Sequence, residues 1–314
     1  MVAGEKQLIE RIRRVAGASR DVVAGIGDDC AVLRVNPGRQ LLVTTDFTLE
    51  NVHFRRDWHS ADWVGRRCLT RGLSDIAAMG GEPLAAFLSL AVGPDLPPKW
   101  VDRFLKGLLH LAAEFRVPLA GGDTAQSPAG LQADIVVLGT VPRGKAILRS
   151  GARPGEYIYV TGSLGGSAAL LNQLKQSRRS RVAHSRQFEP QPRLGTGQWL
   201  SNHAAASAMI DVSDGLSTDL DHICHESHVG AIIEAASIPR ARIARLPVPL
   251  EFALHGGDDY ELLFTSPRVL PAKIAGVPLS RIGRITKSRG MRLIGPDGVS
   301  RSLKPGGWQH FRGK

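Results

Sequence analysis

The stretch Met209–Leu216, MIDVSDGL, reads as the end of an apolar strand that meets two carboxylates, a hydroxyl and a glycine before a helix begins. The same grammar recurs along the chain. Asp46 closes the apolar run LLVTTD, Asp75 lies in LSDIAAMGG, and Asp123 lies in AGGDT. Asp28 and Asp29 lie in GIGDDC, and Asp258 and Asp259 lie in HGGDDYEL. Nearly all these acids stand beside glycine or at a strand end, where backbone approaches a ligand closely and loops leave a sheet. Each has an ordinary reading by itself, since Gly-Asp-Asp and Asp-Gly make turns and Asp75 stands one helical turn after Arg71. Gathered together they would repel one another unless cations neutralise them. Hard oxygen ligands with hydroxyls nearby (Thr44, Thr45, Thr124, Ser213) and read as without His or Cys neighbours point to Mg²⁺ rather than zinc, and carboxylate-held Mg²⁺ points to substrate phosphates.

Working outward, apolar periodicity predicts helices over Lys6–Val15, Ala61–Met79, Pro98–Phe115, Ser167–Gln176, Thr196–Ala206 and Leu216–Glu226. Strands are predicted over Ala31–Val35, Leu41–Thr45, Leu84–Val92, into Gly121-Gly122, and over Leu131–Val141. In the second half they fall at YIYVTG, Ala208–Val212, Gly230–Ala235, Tyr260–Phe264, Arg281–Thr286 and Arg292–Ile294. The turn-rich SGARPGE ahead of YIYVTG marks a domain boundary, dividing the chain into residues 1–148 and 149–314. Two α+β halves of similar size result, with strand edges in the first half that need covering.

Composition narrows the class. The chain has 314 residues, 43% hydrophobic and 22% charged, enough for a sizeable core and against wholesale disorder. No apolar run approaches the ~20 residues of a membrane helix. The opening MVAGEKQLIERIRR reads as an amphipathic helix rather than a signal peptide. Three scattered cysteines (Cys30, Cys68, Cys224) give neither a disulfide framework nor zinc spacing, and imply a reducing, cytoplasmic setting. The net charge of +11 raises a nucleic-acid partner. The basic residues are scattered, however, and the densest run, Lys175–Arg186, lacks aromatics and reads as a solvated loop. Gly139–Ala146, GTVPRGKA, nearly matches a P-loop but puts Ala146 where the Mg²⁺-holding hydroxyl belongs and Pro142 where an N–H is needed. Any ATP site must therefore be built another way.

The motifs GIGDDCAVL, TTDFTLENVHF, LSDIAAMGG, GGDT, RSGARPGEYIYVTG, MIDVSDGLSTDL, GGDDYELLFT and GGWQHF occur in this order. Together they resemble the thiamine-monophosphate kinase family, within the aminoimidazole ribonucleotide synthetase-like superfamily. The resemblance implies a two-domain α+β fold whose N-terminal strands form the interface of a homodimer. It implies ATP-dependent conversion of thiamine phosphate to thiamine diphosphate, with Mg²⁺ and with K⁺ as a helper. It implies metal ligands at Asp29, Thr44, Thr45, Asp46, Asp75, Asp123, Asp211 and Asp214, with Asp46, Asp75, Asp211 and Arg149 the residues on which transfer depends. ATP contacts are implied at Gly122, Asp123, Arg149 and Ser213, and substrate contacts at His53, Asp258 and Trp308. This chain has GGDDYEL where the family usually has GGEDYEL, so Asp258 is one methylene shorter than the usual Glu. A sister enzyme acting on another acceptor is the nearest alternative, and a nucleic-acid-binding protein would leave the Gly-Asp segments without an account.

Overall fold

The structure, a computed structural model, describes residues 10, 12–14, 16, 20–24, 26, 31–176 and 189–309. Most of the helix read over Lys6–Val15, the pair Asp28 and Asp29, Cys30, and the basic stretch from residue 177 to 186 lie outside these residues. The chain divides into two compact units, Met1–Ile76 with Gly81–Gly144, and Ala77–Gly80 with Lys145–Lys314.

The first unit contains β1 (Val22–Ala24), β2 (Val32–Leu33), β3 (Arg39–Leu49), α1 (Ala61–Ala78, its last two residues in the second unit), β4 (Glu82–Val92), α2 (Pro98–Glu114), β5 (Leu119–Gln126) and β6 (Leu131–Pro142). Its four-stranded sheet runs β3-β6-β4-β5, antiparallel except for the parallel pair β4–β5. The strand expected at Ala31–Val35 shrinks to β2 and pairs with β1 instead of joining this sheet. The strand expected to stop at Thr45 continues to Leu49, so Asp46 lies within β3 and not at its end. The reason is cross-strand pairing, because β6 matches β3 residue for residue from Arg39 to Leu49.

One face of the sheet carries the core. Leu88, Leu90, Ile135 and Val137 of the sheet and Leu69, Leu73 and Ile76 of α1 are all nearly sealed from solvent, and α1 packs on β6 where a Cβ on Gly72 would lie 2.5 Å from the Val137 side chain and one on Gly139 2.9 Å from that of Ile76. The two helices touch backbone to backbone, since a Cβ on Gly65 would lie 1.8 Å from the Phe104 carbonyl oxygen and one on Gly107 1.8 Å from that of Asp62. Glycine is therefore what lets α1 and α2 cross so closely. The other face is open, with Leu41, Val43 and Phe47 of β3 exposed by 47, 62 and 59%.

The second unit contains β7 (Tyr157–Thr161), α3 (Gly166–Gln176), α4 (Leu194–Asn202), β8 (Ala208–Asp211), α5 (Leu216–Glu226), β9 (Gly230–Glu234), β10 (Arg242–Ile243), β11 (Leu246–Pro247), α6 (Leu250–His255), β12 (Leu262–Ser266), β13 (Lys273–Ile274), β14 (Val277–Thr286), β15 (Gly290–Ile294) and β16 (Ser300–Leu303). Its large sheet runs β16-β15-β9-β14-β7-β12-β8, with β13 hydrogen-bonded to β14. Helix α5 lays Leu216, Leu220, Ile223 and Cys224 into a core shared with Ile158, Val160, Ile210, Leu263 and Ile282. A buried ion pair braces this unit. Arg193 holds Glu261 with two hydrogen bonds, of 2.7 and 2.5 Å, and Thr161 adds a third of 2.6 Å. Helix α6, six residues between Pro249 and Gly256, is too short to show an apolar period and was not expected. Among the described residues no helix is long and apolar enough to cross a membrane.

Candidate functional site

In the first unit a strand and a helix hold acids in matched rungs. Residues two apart on β3 share a face, and residues four apart on α1 share a face. Thr44 donates its hydroxyl hydrogen to Asp75, and Arg71, one turn earlier on α1, pairs with Asp46 at 3.0 Å and with the Phe47 carbonyl. Thr44, Asp46 and Asp75 are thereby brought together on the helix-covered side. Thr45 points to the opposite, open side, where its hydroxyl donates to Asp134 at 2.8 Å. Thr45 can serve the Asp46 side only through its main chain.

Asp123 also belongs to the open side. In the sheet register Phe47 faces Asp134, Asp134 faces Ser89, and Ser89 lies beside Asp123. With three strand spacings between them, β3 and Asp123 stand about 14 Å apart along the sheet. Asp123 accepts the Thr124 amide hydrogen at 2.8 Å, and Gly122 precedes it with φ of 147°. His53, in the turn after β3, accepts the Leu49 amide hydrogen on Nδ1 at 3.0 Å, so a neutral ring carries its proton on Nε2.

In the second unit two segments that follow glycine pairs converge on the turn between β8 and α5. Asp211 is buried at the end of β8. The Ser213 carbonyl accepts the Asp258 amide hydrogen at 2.8 Å, and the Asp214 carbonyl accepts that of Trp308 at 3.0 Å. Asp258 and Tyr260 both adopt left-handed backbone, with φ of 65° and 52°, and the Tyr260 hydroxyl donates to Asp258 Oδ1 at 2.9 Å. Two such non-glycine residues so close together cost of order 1 kcal/mol or more each and collect where function over-determines geometry. Arg149 is exposed. Ser227 ties its loop down by donating to the Arg149 carbonyl at 3.0 Å and accepting the Gly151 and Ala152 amides at 3.1 Å each.

The turn also gathers an acid that sequence reasoning missed. Asp219, in the first turn of α5 and almost fully buried, accepts the Gly215 amide hydrogen at 3.0 Å. Burial, followed by the charges of Asp211 and Asp214, pushes its carboxyl well above the ordinary range. Asp214, Asp219 and His222 each present a ligand atom within 4.8 Å of one another. A carboxylate buried against two more carboxylates is the donor set a divalent cation neutralises, so these residues fit a hard metal ion. The thiols give no rival chemistry in the described residues: burial pushes both Cys68 and Cys224 up to about 12.

Residues 27–141 match the model of the AIR synthase related protein N-terminal domain. Thiamine-monophosphate kinase of Escherichia coli (strain K12) is 39% identical, with 99% of each chain covered. The chain belongs to the thiamine-monophosphate kinase family. Among solved structures, the thiamine-monophosphate kinase of Stenotrophomonas maltophilia K279a is 34% identical, covering 96% of this chain and 99% of its own, with a TM-score of 0.81. AaThiL complexed with AMPPCP and TMP is 30% identical, covering 98% and 97%, with a TM-score of 0.77. The α+β architecture is thus that of the thiamine-monophosphate kinase family.

Asp219, His222, Tyr260, Asp134 and Ser227 lay outside the sequence reading. An acid in a helix's first turn is common because it complements the helix dipole, so Asp219 carried no distinguishing signal. Its burial yields a pH prediction. The unfolded carboxyl titrates near 3.8 and the folded one well above it, so the folded state keeps the proton longer and stability falls as pH rises between the two values. Asp219→Asn, which keeps an oxygen acceptor for Gly215, should therefore gain thermal stability over the parent as metal-free buffer is raised from about pH 5 to 8, at up to ~1.4 kcal/mol per pH unit. A variant less stable than the parent at every pH contradicts this.

Proposed function

We propose that the chain transfers the γ-phosphoryl group of ATP directly to thiamine phosphate, giving thiamine diphosphate. The observation that carries this reading is the full-length relationship to AaThiL, the protein bound to AMPPCP and TMP. The chemistry of the residues agrees with it. Phosphoryl transfer passes through a loose transition state, so positioning and charge neutralisation dominate catalysis. The nucleophile is the acceptor's own phosphate oxygen, already anionic at neutral pH, so no general base is needed.

In this reading Mg²⁺ ions are held by separate groups of ligands, namely Thr44, Asp46 and Asp75 on the helix-covered side of the first unit, Thr45 through its main chain, Asp123 on the open side, Asp29, and Asp211 and Asp214 in the second unit, and would supply charge neutralisation to the phosphates. Arg71 shields Asp46 and keeps β3 and α1 in register. Gly122, Asp123, Arg149 and Ser213 contact ATP. His53, Asp258 and Trp308 contact the acceptor, whose cationic thiazolium and aminopyrimidine suit a carboxylate and an aromatic face. Tyr260 holds the shorter Asp258 side chain from behind. The setting is the cytoplasm.

Purified protein with thiamine phosphate and Mg-ATP should form thiamine diphosphate by phosphorus NMR, without a labelled protein intermediate from γ-labelled ATP alone. Asp46→Asn, Asp75→Asn and Asp211→Asn should each lower kcat by roughly a hundredfold or more while the fold survives. Ordinary turnover in all three would remove the metal-site reading, and product only with a different acceptor would favour a sister activity.

The same reading makes the chain a homodimer. The exposed row Leu41, Val43 and Phe47 on the open sheet face, beside a β3 edge with no strand neighbour among the described residues, supports a second copy as its cover. Light scattering at micromolar concentration should give twice the chain mass, and Val43→Glu should reduce it. A parent monomer would refute the dimer.

A further inference from the structure

Arg71 brings a permanent positive charge into the acidic pocket between β3 and α1. Its guanidinium pairs with Asp46 at 3.0 Å and donates to the Phe47 carbonyl, so it grips β3 by a side chain and by the adjoining main chain. The Arg71 side chain is 11% exposed, against 33% for Asp46. A guanidinium stays protonated at every working pH, so this charge cannot be titrated away. The next residue presses the helix onto the sheet. A Cβ on Gly72 would lie 2.5 Å from the Val137 side chain and 3.7 Å from that of Thr44. Glycine there lets α1 approach closely enough for Arg71 to reach two successive residues of β3.

The pocket offers a hard cation three oxygen-bearing side chains, Thr44, Asp46 and Asp75. The two carboxylates are treated differently. Thr44 gives Asp75 a hydrogen bond from a neutral hydroxyl, which leaves the charge of that carboxylate in place. Arg71 cancels charge at Asp46. A divalent ion that enters therefore meets a carboxylate already paired with a cation, and the two positive charges repel. The low exposure of Arg71 means that salt and water screen this repulsion weakly.

We infer that Arg71 is a positioning residue that acts as a built-in cation: it holds the Asp46 carboxylate in place when no metal is bound, and it weakens the affinity of this pocket for a divalent ion. This rests on the proposed metal role of Asp46 and adds what sets the strength of that site. The Mg²⁺ demand of the chain is then written partly into α1, at a residue that need not touch the metal or either substrate.

The test titrates the full chain with Mn²⁺, a paramagnetic stand-in for Mg²⁺, and follows binding by electron paramagnetic resonance without nucleotide. Asp46→Asn identifies the ion that depends on this pocket. Arg71→Gln and Arg71→Met remove the charge, the first keeping a donor for the Phe47 carbonyl, and Arg71→Lys keeps the charge. Circular dichroism selects the variants that fold. Each folded neutral variant should bind the Asp46-dependent ion about tenfold more tightly than the parent, equivalent to ~1.4 kcal/mol. Arg71→Lys should stay within about threefold of the parent. A merely structural role for Arg71 gives the opposite sign, because a loosened Asp46 makes a poorer ligand. Equal or weaker binding in a folded neutral variant therefore overturns the inference while leaving the pocket a metal site. If no ion bound by the parent or by the neutral variants is lost on adding Asp46→Asn, the metal role of Asp46 is wrong and the inference falls with it.

Discussion

Mutual repulsion among Asp211, Asp214 and Asp219 is the constraint around which the second unit is organised. Three carboxylates within one strand-to-helix turn cannot all ionise out of water without compensation. The chain supplies part of it through the Gly215 amide, which donates to Asp219. In the reading proposed above a cation adds to this, and the turn itself is tied to its neighbours. Its carbonyls are committed to the Asp258 and Trp308 amides, and its helix start is committed to the Gly306 and Gly307 amides. Relaxing the acids by moving the turn would break bonds in two other segments.

The first unit meets the same difficulty differently. There the acids are spaced along regular elements, and Arg71 and the Thr44 hydroxyl compensate Asp46 and Asp75 directly. The consequence is a division by face. Thr44, Asp46 and Asp75 are placed between β3 and α1, whereas Thr45, Asp134 and Asp123 lie on the open side with the exposed apolar row. The open sheet face thus carries both apolar side chains and carboxylates.

Much of this was legible in the residues. The long strands and helices follow from period-two and period-3.6 apolar patterns, and the Gly-Asp segments mark the turns where acids stand near backbone. What was not legible depends on tertiary pairing. Asp46 reads as a strand terminus because the apolar run stops there, yet β6 carries the strand on to Leu49. Thr44 and Thr45 read as equivalent hydroxyls until the pleat assigns them to opposite faces. Tyr260 and Asp219 contribute through a hydroxyl and a buried carboxyl whose partners are set only when the loops close. Ser217 and Thr218 look like unremarkable first-turn residues until a segment some 90 positions away places its amides on them.

The claim that the acidic turn is completed by a cation is tested most directly by the thermal midpoint of the parent chain with and without Mg²⁺ across about pH 6 to 8. Ligand that binds only the folded state stabilises it, by ~2.7 kcal/mol at a hundredfold excess over Kd. Ionisation of the crowded carboxylates strengthens the need for that ligand, so the Mg²⁺-dependent rise should grow with pH and be reduced in Asp211→Asn. A midpoint indifferent to Mg²⁺ at every pH, with and without ATP present, would contradict the account.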